Sequence, residues 1–479
     1  MECEEPEVHE SFRRQPVRPS LLPQRLGSQG TLTSVTRERE DVSTRRTRRE
    51  FLKQSALATA GLWVAGCRAS PRRISANEKL GIGIIGVANQ GSYNLNSVAG
   101  ENIVALCDVD ENFLSAAAKK FPAAKTYRDF RRLLDQPDLD AVVVATPDHT
   151  HAVATAAALR SGRHVYCEKP LTRTISECRV VTELARKHKL ITQIGTQIHS
   201  GENYHRVVEL IQQGTIGPVN EVHVWVNATY GGKDWPSERP PIPAHLDYDL
   251  WLGPVPARPY HPDIVPRWWR HWWAFGGGAL ADFGCHFMDL PHWALALTAP
   301  SSAEVVEGPP VHADSTPPWL IVRYEYPAST VARPPGAAAK SPLKLTWYHG
   351  GKKPALLQSD IAGQWASGVL FLGETGTLLA DYTRHVVMRE RDFKDYAVPK
   401  SISSDFTRHH HEWIQCVKTG KPASSDFAYS GPLTEAALLG NVAYRARQRL
   451  EWDSKNLRAK NCPEADQFIQ HQYRKGWQL

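Results

Sequence analysis

The sequence lacks an apolar run of about 18 residues, the minimum that predicts a membrane-spanning helix. Its eight cysteines are scattered and none forms a Cys-x-x-Cys pair, which in a long chain favours buried thiols over a disulfide framework. It also has no Cys/His set with zinc spacing, so no metal site is expected. No internal repeat is present. His409 to His411 are interpreted as structural, because adjacent side chains on a helix point about 100° apart.

The body of the chain also lacks a strong excess of positive charge. The net charge of +7 is concentrated at the N-terminus, where residues 1–73 hold 14 Lys and Arg against 9 Asp and Glu. The remaining residues are nearly neutral, which argues against a nucleic-acid partner. With 479 residues, 42% of them hydrophobic, the chain is long enough for at least two domains with substantial cores.

Residues 1–66 are interpreted as a disordered extension followed by a signal peptide. Arg48 and Arg49 precede a weakly apolar stretch at 55–66 that is too short to span a bilayer. This order resembles a twin-arginine (Tat) signal, which predicts export of the folded protein by the Tat machinery. The alternative is a basic amphipathic helix that caps the fold.

The signal-like segment ends in Val-Ala-Gly-Cys, which resembles a lipobox with Cys67 as the acylated residue. An acylated Cys67 would anchor the protein to a membrane through its lipid. Cleavage without lipidation is the alternative. The expected location is therefore periplasmic, either free or as a membrane-anchored lipoprotein.

From Lys79 onward, short apolar runs alternate with helical patterns. The predicted strands are 80–85, 102–108, 141–146, 164–168 and 190–195. Such alternation predicts βαβ units and a doubly wound parallel sheet. The expected organisation is a dinucleotide-binding domain at 79–195, a second domain at 196–453 and a tail at 454–479. The C-terminal helices are expected to pack back on the first domain.

The first strand is followed by a glycine pattern typical of dinucleotide-binding loops. Gly86, Ala88 and Gly91 fit G-x-G-x-x-G with alanine at the second glycine. Asp108 follows 22 residues after Gly86, near the spacing expected for a carboxylate that binds the ribose 2′-hydroxyl. Since that carboxylate would repel a 2′-phosphate, NAD is favoured over NADP. An unrelated ligand on the same kind of sheet remains the alternative.

Four motifs further along are TPDHTHA at 146–152, CEKPLT at 167–172, a segment beginning GTQIHSGENYH at 195, and WWAFGGGALADFGCHFMDL at 272–290. Their order resembles the Gfo/Idh/MocA family, which includes glucose-fructose oxidoreductase and inositol 2-dehydrogenase. The resemblance covers about 79–453. It implies an N-terminal Rossmann domain and a C-terminal α/β domain with a large open, mostly antiparallel sheet. That sheet commonly packs against another subunit, so a homo-oligomer is expected.

The resemblance implies three catalytic residues. Lys169 matches the lysine that contacts the reacting hydroxyl and the cofactor, His286 the general base, and Asp282 its acidic neighbour. An ammonium group stabilises a developing alkoxide, and histidine accepts a proton near neutral pH. Asp282 and His286 are four residues apart, so a helix starting near Ala279 would present both on one face. The Lys169–Pro170 bond could be cis.

The residues expected around the cofactor are Gly86, Ala88, Asn89, Gln90, Gly91, Asp108, Thr146, Pro147, His151, Glu168 and Lys169. The residues expected near the substrate are Gln197, His199, Trp235 and Trp272. The two tryptophans belong to a Trp-rich segment at 230–275, and an aromatic face can stack on a pyranose. Core packing is the alternative for both tryptophans. His149 and His151 could likewise be structural turn residues.

The second domain shows strand patterns at 219–230, 319–326, 342–350 and 368–373, with a Pro-rich surface loop at 327–341. Helices are predicted from near Phe406 and over 432–450. The sequence as a whole predicts an NAD-dependent oxidoreductase that acts on a secondary hydroxyl of a sugar, inositol or glycoside. The alternatives are an NAD-dependent glycosidase that oxidises its substrate transiently, and a sugar-binding protein without turnover.

Overall fold

The computed structural model describes residues 75, 77–332, 342–357, 364–389 and 408–479. The chain divides into two units, Met1–Cys67 and Arg68–Leu479, and the first lies outside the described residues. The export signal and Cys67 therefore lie outside them too. Among the described helices, none is both long and apolar enough to cross a membrane.

The first domain is built on a six-stranded parallel sheet in the order β3-β2-β1-β4-β5-β6. Its strands are β1 (Gly81–Ile85), β2 (Asn102–Cys107), β3 (Lys125–Tyr127), β4 (Ala141–Val144), β5 (His164–Cys167) and β6 (Thr192–Ile194). Its helices are α1 (Gln90–Ser97), α2 (Glu111–Lys120), α3 (Phe130–Leu133), α4 (Asp148–Arg160) and α5 (Ile175–His188). The predicted doubly wound sheet is confirmed. Its strand order reverses between β1 and β4, where a crevice opens at the carboxyl ends of the strands.

The apolar runs of the central strands explain their place in the sheet. Every residue of β1, β4 and β5 is buried, as expected for strands covered on both faces. Helix α5 begins with a capping box in which Thr174 and Glu177 satisfy each other's backbone N–H groups. It ends at Lys189, which has a left-handed conformation with φ 54°. These local signals set where α5 begins and ends.

The second domain contains a nine-stranded sheet in the order β13-β12-β11-β7-β10-β9-β8-β14-β15. Its strands are β7 (Val219–Val226), β8 (Ser302–Glu307), β9 (Leu320–Tyr326), β10 (Leu343–His349), β11 (Gly368–Gly373), β12 (Gly376–Ala380), β13 (His385–Arg389), β14 (Leu450–Asp453) and β15 (Arg458–Ala459). Only the β7–β10 pair is parallel. This agrees with the expected large, mostly antiparallel sheet.

Helices cover one face of this sheet and form the main core with it. They are α6 (Glu202–Gln212), α8 (Gly278–Phe287), α9 (Asp289–Ala294), α11 (Phe427–Ala446) and α12 (Asp466–Ile469). Two further helices, α7 (Tyr248–Leu252) and α10 (His409–Thr419), pack in other clusters. Trp413 of α10 is fully buried among Leu80, Ile82 and Tyr166 of the first domain. A helix from the C-terminal part of the chain therefore completes the core of the first domain.

Two predicted helix boundaries need correction. The predicted helix at 432–450 is α11, which starts earlier at Phe427 and ends at Ala446, while Leu450 already belongs to β14. Pro432 lies in its second turn and does not end the helix. Helix α10 begins at His409, and Phe406, the predicted start, lies outside the described residues. Most of the predicted loop at 327–341 lies outside them as well.

Candidate active site

The glycine loop between β1 and α1 has no room for side chains at its first and last glycines. Gly86 has φ 88°, and a Cβ added there would lie 2.5 Å from the carbonyl oxygen of Ala145. A Cβ on Gly91 would lie 2.0 Å from the carbonyl oxygen of Gly86. Asp108, at the end of β2, accepts a hydrogen bond from Val87 N–H at 3.0 Å. This tight turn leaves backbone N–H groups at the start of α1, as a pyrophosphate requires.

A cavity of about 430 Å³ lies along this loop and the carboxyl ends of the strands. The predicted cofactor residues that line it are Gly86, Ala88, Asn89, Gln90, Asp108, Thr146, Pro147, Glu168 and Lys169. Gly91 packs behind the loop. The hydroxyl of Thr146 and Oε2 of Glu168 are buried without a hydrogen-bond partner among the described residues. The glycine loop in the cavity wall and these unpaired polar groups suit a dinucleotide.

An ion pair marks the end of the cavity nearest to α8. Lys169 follows β5, its bond to Pro170 is cis as the sequence allowed, and its Nζ lies 2.5 Å from Oδ1 of Asp282. Nε of Arg270 lies 3.2 Å from the same oxygen, and the Tyr230 hydroxyl donates to Oδ2 of Asp282 at 2.9 Å. Asp282 therefore holds two cations and a phenol in one cluster beside the cofactor cavity.

The two carboxyl groups of this cluster differ in their protonation. Burial alone would raise the pKa of Asp282, but Arg270 and Lys169 hold that pKa well below its usual range. Asp148 lies 3.4 Å from Nη2 of Arg270, and burial raises its pKa to about 7 in spite of this neighbour. Asp282 is thus ionised at neutral pH, while Asp148 takes up a proton far more readily than an exposed carboxyl group.

His286 lies one turn after Asp282 on α8, as the four-residue spacing predicted. Its ring does not line the cavity, and its Nδ1 is buried without a hydrogen-bond partner among the described residues. Burial and the nearby Lys169 ammonium lower the pKa of His286 to about 3, so the ring is neutral at pH 7. A neutral imidazole can accept a proton, and the ammonium can stabilise an alkoxide.

Some predicted contacts are structural instead. His151 is fully buried, and its ring nitrogens lie 2.8 and 2.7 Å from the carbonyl oxygens of Pro170 and Thr146. It therefore holds the Lys169–Pro170 turn against the end of β4 and does not line the cavity. The ring of His149 likewise meets the carbonyl oxygen of Trp251 at 2.7 Å.

Glu168 and Gln197 form a polar wall next to Lys169. Oε1 of Glu168 accepts hydrogen bonds from the side-chain amides of Gln90, Asn94 and Gln197 at 3.2, 2.9 and 2.8 Å. Gln197 also donates to the Tyr166 hydroxyl at 3.0 Å and does not line the cavity. It was expected near the substrate, but the structure makes it a support for Glu168.

The structure also contradicts the placement of three expected substrate residues. His199 is buried, with its Nδ1 2.9 Å from Oδ2 of Asp289 and its ring stacked on Trp293. Trp235 and Trp272 pack against each other, with ring centroids 4.8 Å apart, and neither lines the cavity. The tryptophans that do line the cavity are Trp251, Trp269 and Trp477.

A covering loop, residues 243–270, and the C-terminal tail close one side of the cavity. In the covering loop, His245 accepts a hydrogen bond from Glu111 N–H at 2.9 Å. Asp247 N–H donates to the carbonyl of Val109 at 2.9 Å, which joins the loop to the segment after β2. In the tail, the ring centroid of Trp477 lies 4.8 Å from Cζ of Arg131, and this ring also lines the cavity. Sequence reasoning did not identify the tail as part of the site.

Three residues of the charge cluster were not predicted. Asp148 lies inside the TPDHTHA motif, where an acidic residue at the start of a helix was a usable signal. Arg270 and Tyr230 lie in an irregular Trp-rich segment, whose sequence shows no periodicity that would place them. The described residues contain no group of three or more His, Cys, Asp or Glu arranged to hold a metal ion.

Two family models match the chain. Residues 80–196 match the model described as oxidoreductase family, NAD-binding Rossmann fold, and residues 205–340 match the model of the family's C-terminal alpha/beta domain. Together they span more than half of the chain. They confirm the fold class, the family resemblance and NAD as the cofactor of the first domain.

Individual relatives match more distantly. Inositol 2-dehydrogenase of Salmonella typhimurium is 34% identical over 147 residues, which are 29% of this chain and 44% of that protein. A glycosyl hydrolase family 109 protein of Saccharopolyspora erythraea is 32% identical over 203 residues, 36% of this chain and 44% of that protein. The chain thus spans less than half the length of these curated relatives.

The crystal structure of the WlbA dehydrogenase from Bordetella pertussis, in complex with NADH and UDP-GlcNAcA, shares the fold. Its TM-score is 0.57 at 18% identity, and the match covers 78% of this chain and 99% of that one. At this identity the match supports the two-domain architecture alone.

Proposed function

Because the chain belongs to the Gfo/Idh/MocA oxidoreductase family, we propose that it transfers a hydride between NAD and a secondary hydroxyl of a sugar, inositol or glycoside. The observation that carries this proposal is the Lys169–Asp282 ion pair of 2.5 Å at the wall of the dinucleotide cavity. An ammonium held at that position meets a substrate oxygen beside the cofactor. NAD is preferred over NADP because the Asp108 carboxylate lines the cavity at the end of β2.

NAD, when bound, would supply the carbon that accepts or donates the hydride. The glycine loop and Asp108 would hold the dinucleotide, and Glu168 keeps Gln90 in place at the start of α1. Lys169 stabilises negative charge on the reacting oxygen, and Asp282 keeps the ammonium oriented. His286, one turn after Asp282 on α8, is the proposed proton acceptor when the hydroxyl is oxidised. Its pKa, lowered to about 3 by burial, would have to rise when substrate and cofactor bind.

The test is a screen of inositols, aldoses and glycosides for reduction of added NAD. The absorbance of the reduced nicotinamide monitors the reaction. A turnover that disappears in Lys169→Ala and in His286→Ala supports the proposal, and Trp235→Phe serves as a control outside the cavity. If no substrate of these classes reduces the cofactor, or if both variants keep full activity, the proposal is wrong. Sugar binding without any hydride transfer in the wild type would favour the non-catalytic alternative.

A second candidate is an NAD-dependent glycosidase, which the match to a family 109 glycosyl hydrolase supports. Such an enzyme oxidises its substrate, expels the aglycone and then restores the hydroxyl. Release of aglycone from an aryl glycoside without net formation of NADH would establish this activity. Net NADH formation from a free sugar or polyol would favour the dehydrogenase.

For the location of the protein we propose Tat-dependent export, with Cys67 as a lipidation site that anchors the mature protein to a membrane. The supporting features are Arg48 and Arg49, the short apolar stretch and the lipobox-like end of that stretch. Replacing both arginines by lysine should keep the protein in the cytoplasm. Cys67→Ala should abolish labelling by a palmitate analogue, and unchanged labelling would exclude this residue.

We further propose that the protein is a homo-oligomer that pairs the outer faces of two nine-stranded sheets. The support for this proposal is the resemblance to a family whose large sheet commonly packs against another subunit's, since the aromatic cluster of Trp225, Tyr348 and Trp365 is itself buried within the chain. Light scattering coupled to size-exclusion chromatography should give a mass that is a multiple of the monomer. A monomer at micromolar concentration would contradict this assembly.

A further inference from the structure

A second cavity, of about 210 Å³, lies between the start of α5, α11 and the loop that leads into α8. It shares no lining residue with the dinucleotide cavity. Gly276 and Gly277 form part of its wall, on the path to the helix that carries Asp282. Residues from α12 and the segment after it close another side. This cavity takes no part in the proposed hydride transfer.

Three arginines line the second cavity: Arg173, Arg258 and Arg445. Asp314 is the carboxylate among the lining residues, and it pairs with Arg258 at 2.9 Å. The lining therefore carries an excess of two positive charges. Buried cations without partners are costly, so such an excess is normally balanced by a bound anion or by a nearby carboxylate.

Arg173 is the buried member of this group, with 7% of its surface exposed. Its Nη1 donates to the carbonyl of Ala274, whereas its Nε and Nη2 are buried and have no hydrogen-bond partner among the described residues. Burial lowers the pKa of Arg173, although its guanidinium stays charged at neutral pH. Two nitrogens of a planar fork therefore lack hydrogen-bond partners in a residue that lines the cavity.

The nearest carboxylate behind Arg173 is already engaged. Glu177 accepts from Thr174 N–H at 2.9 Å and from the Tyr473 hydroxyl at 2.6 Å. Its charge acts on Arg173, but it accepts no hydrogen bond from Nε or Nη2 of that residue. The capping box also occupies the first turn of α5, so the arginine side chains, and not that helix terminus, supply the donors.

Arg445 approaches the same cavity from α11. Its guanidinium lies 4.1 Å from the ring centroid of Phe468 and 5.1 Å from that of Trp273, which hold the side chain in place. Burial, together with repulsion from Arg173, lowers the pKa of Arg445 to about 10. The two guanidinium groups are therefore close enough to repel each other. An anion between them would remove that repulsion.

We propose that this second cavity binds a small oxyanion with a phosphate group, held by Arg173 and Arg445. A guanidinium fork matches the oxygens of phosphate in a bidentate geometry. The charge of Glu177 offsets part of the excess of two positive charges, and a bound phosphate would balance the rest. The volume accommodates inorganic phosphate or a small phosphate ester, and the binding chemistry is the same for both.

The proposal is tested by isothermal titration of the full-length protein with inorganic phosphate. Saturating NAD is present throughout, so that phosphate cannot occupy the glycine loop. The wild type should bind one phosphate saturably. Arg173→Gln and Arg445→Gln should each weaken binding about tenfold or more, as expected for the loss of charge-assisted hydrogen bonds. Arg160→Gln, which removes the same charge from an exposed position, should bind like the wild type.

Glycerol 3-phosphate is titrated in the same way, and whichever of the two probes binds more tightly identifies the form recognised. Near-UV circular dichroism confirms that the variants are folded. Arg445 is only partly buried, so Arg445→Gln remains informative if Arg173→Gln fails to fold. The proposal is overturned if the wild type shows no saturable binding of either probe. It is also overturned if folded Arg445→Gln binds as tightly as the wild type.

Discussion

Asp282 supplies the carboxylate that two cations share in the candidate active site, and this sharing predicts an unequal response to mutation. Nζ of Lys169 and Nε of Arg270 lie 2.5 and 3.2 Å from its Oδ1. In Asp282→Asn both cations lose their partner, and Asp148, with a pKa of about 7, is only a partial substitute. In Lys169→Met the carboxylate keeps Arg270, so the cluster stays balanced.

The side chain of Asp282 is 6% exposed and that of Lys169 is 15% exposed. Removing one partner of a buried ion pair costs about 3–5 kcal/mol, so we expect a loss of that size for Asp282→Asn. We expect Lys169→Met to cost about 1 kcal/mol or less, since it leaves no unpaired carboxylate and its methylenes are retained. Both variants should lose hydride transfer by a factor of about 10² or more.

The assay compares urea unfolding midpoints of both variants at pH 7, alongside steady-state hydride transfer. Asp135→Asn is the matched control, because its side chain is 73% exposed and it should change neither quantity. Equal destabilisation by Asp282→Asn and Lys169→Met would refute the shared-carboxylate account. Full activity in either variant would refute the assignment of the site.

Three further predictions concern the dinucleotide cavity and its charges. Gly86→Ala should lower the free energy of unfolding in urea by about 1–3 kcal/mol, because Gly86 has a positive φ and a Cβ there would meet the carbonyl of Ala145. Gly100→Ala, whose new Cβ would have no atom within 4 Å, should leave the free energy of unfolding unchanged. Asp108→Asn should reduce the preference for NAD over NADP about tenfold, measured by fluorescence titration with both nucleotides. The pKa of Asp148, about 7, lies above its unfolded value, so its ionisation destabilises the fold as pH rises from about 4 to 7. Asp148→Asn should therefore gain stability relative to the wild type between pH 5 and pH 8, and a difference independent of pH would contradict this.

The first domain could be predicted almost entirely from the sequence because its signals are local. The run Ala141–Val144 is apolar throughout, as a strand buried on both faces must be. The glycine loop follows directly after such a strand, so its place at the sheet edge needed no tertiary information. The same holds for Lys169, which follows β5 and faces the crevice.

Several strands away from the centre of the second sheet were harder to predict. Residues Ser302–Glu307 are buried at the start and exposed at the end, so the segment lacks a clean alternation. The hairpin strands Gly376–Ala380 and His385–Arg389 are short and lie at the sheet edge. Their pairing is local, because Gly376–Ala380 pairs with β11 across a two-residue turn and His385–Arg389 pairs with Gly376–Ala380. Strands of five residues carry too few side chains for a clear alternating pattern.

The errors at the site have a common physical cause. His199 was expected near the substrate, but its partner Asp289 lies 90 positions away in the chain and holds it in the core. Trp235 and Trp272 pack their apolar surfaces against each other, whereas Trp477 lines the dinucleotide cavity. A residue type indicates what a side chain can do, but only the tertiary partners decide which surface it faces.

The covering loop and the tail have a consequence for the exchange of nucleotide. Arg474, in the tail, contacts the covering loop at two points. Its backbone N–H donates to the carbonyl oxygen of Pro254 at 3.1 Å, and its Nη1 lies 2.5 Å from Oδ1 of Asp249. We expect that opening of these contacts between the loop and the tail speeds the release of a dinucleotide from the cavity, so that the off-rate depends on a local unfolding event. Mild denaturant should then accelerate release well before the sheets themselves melt.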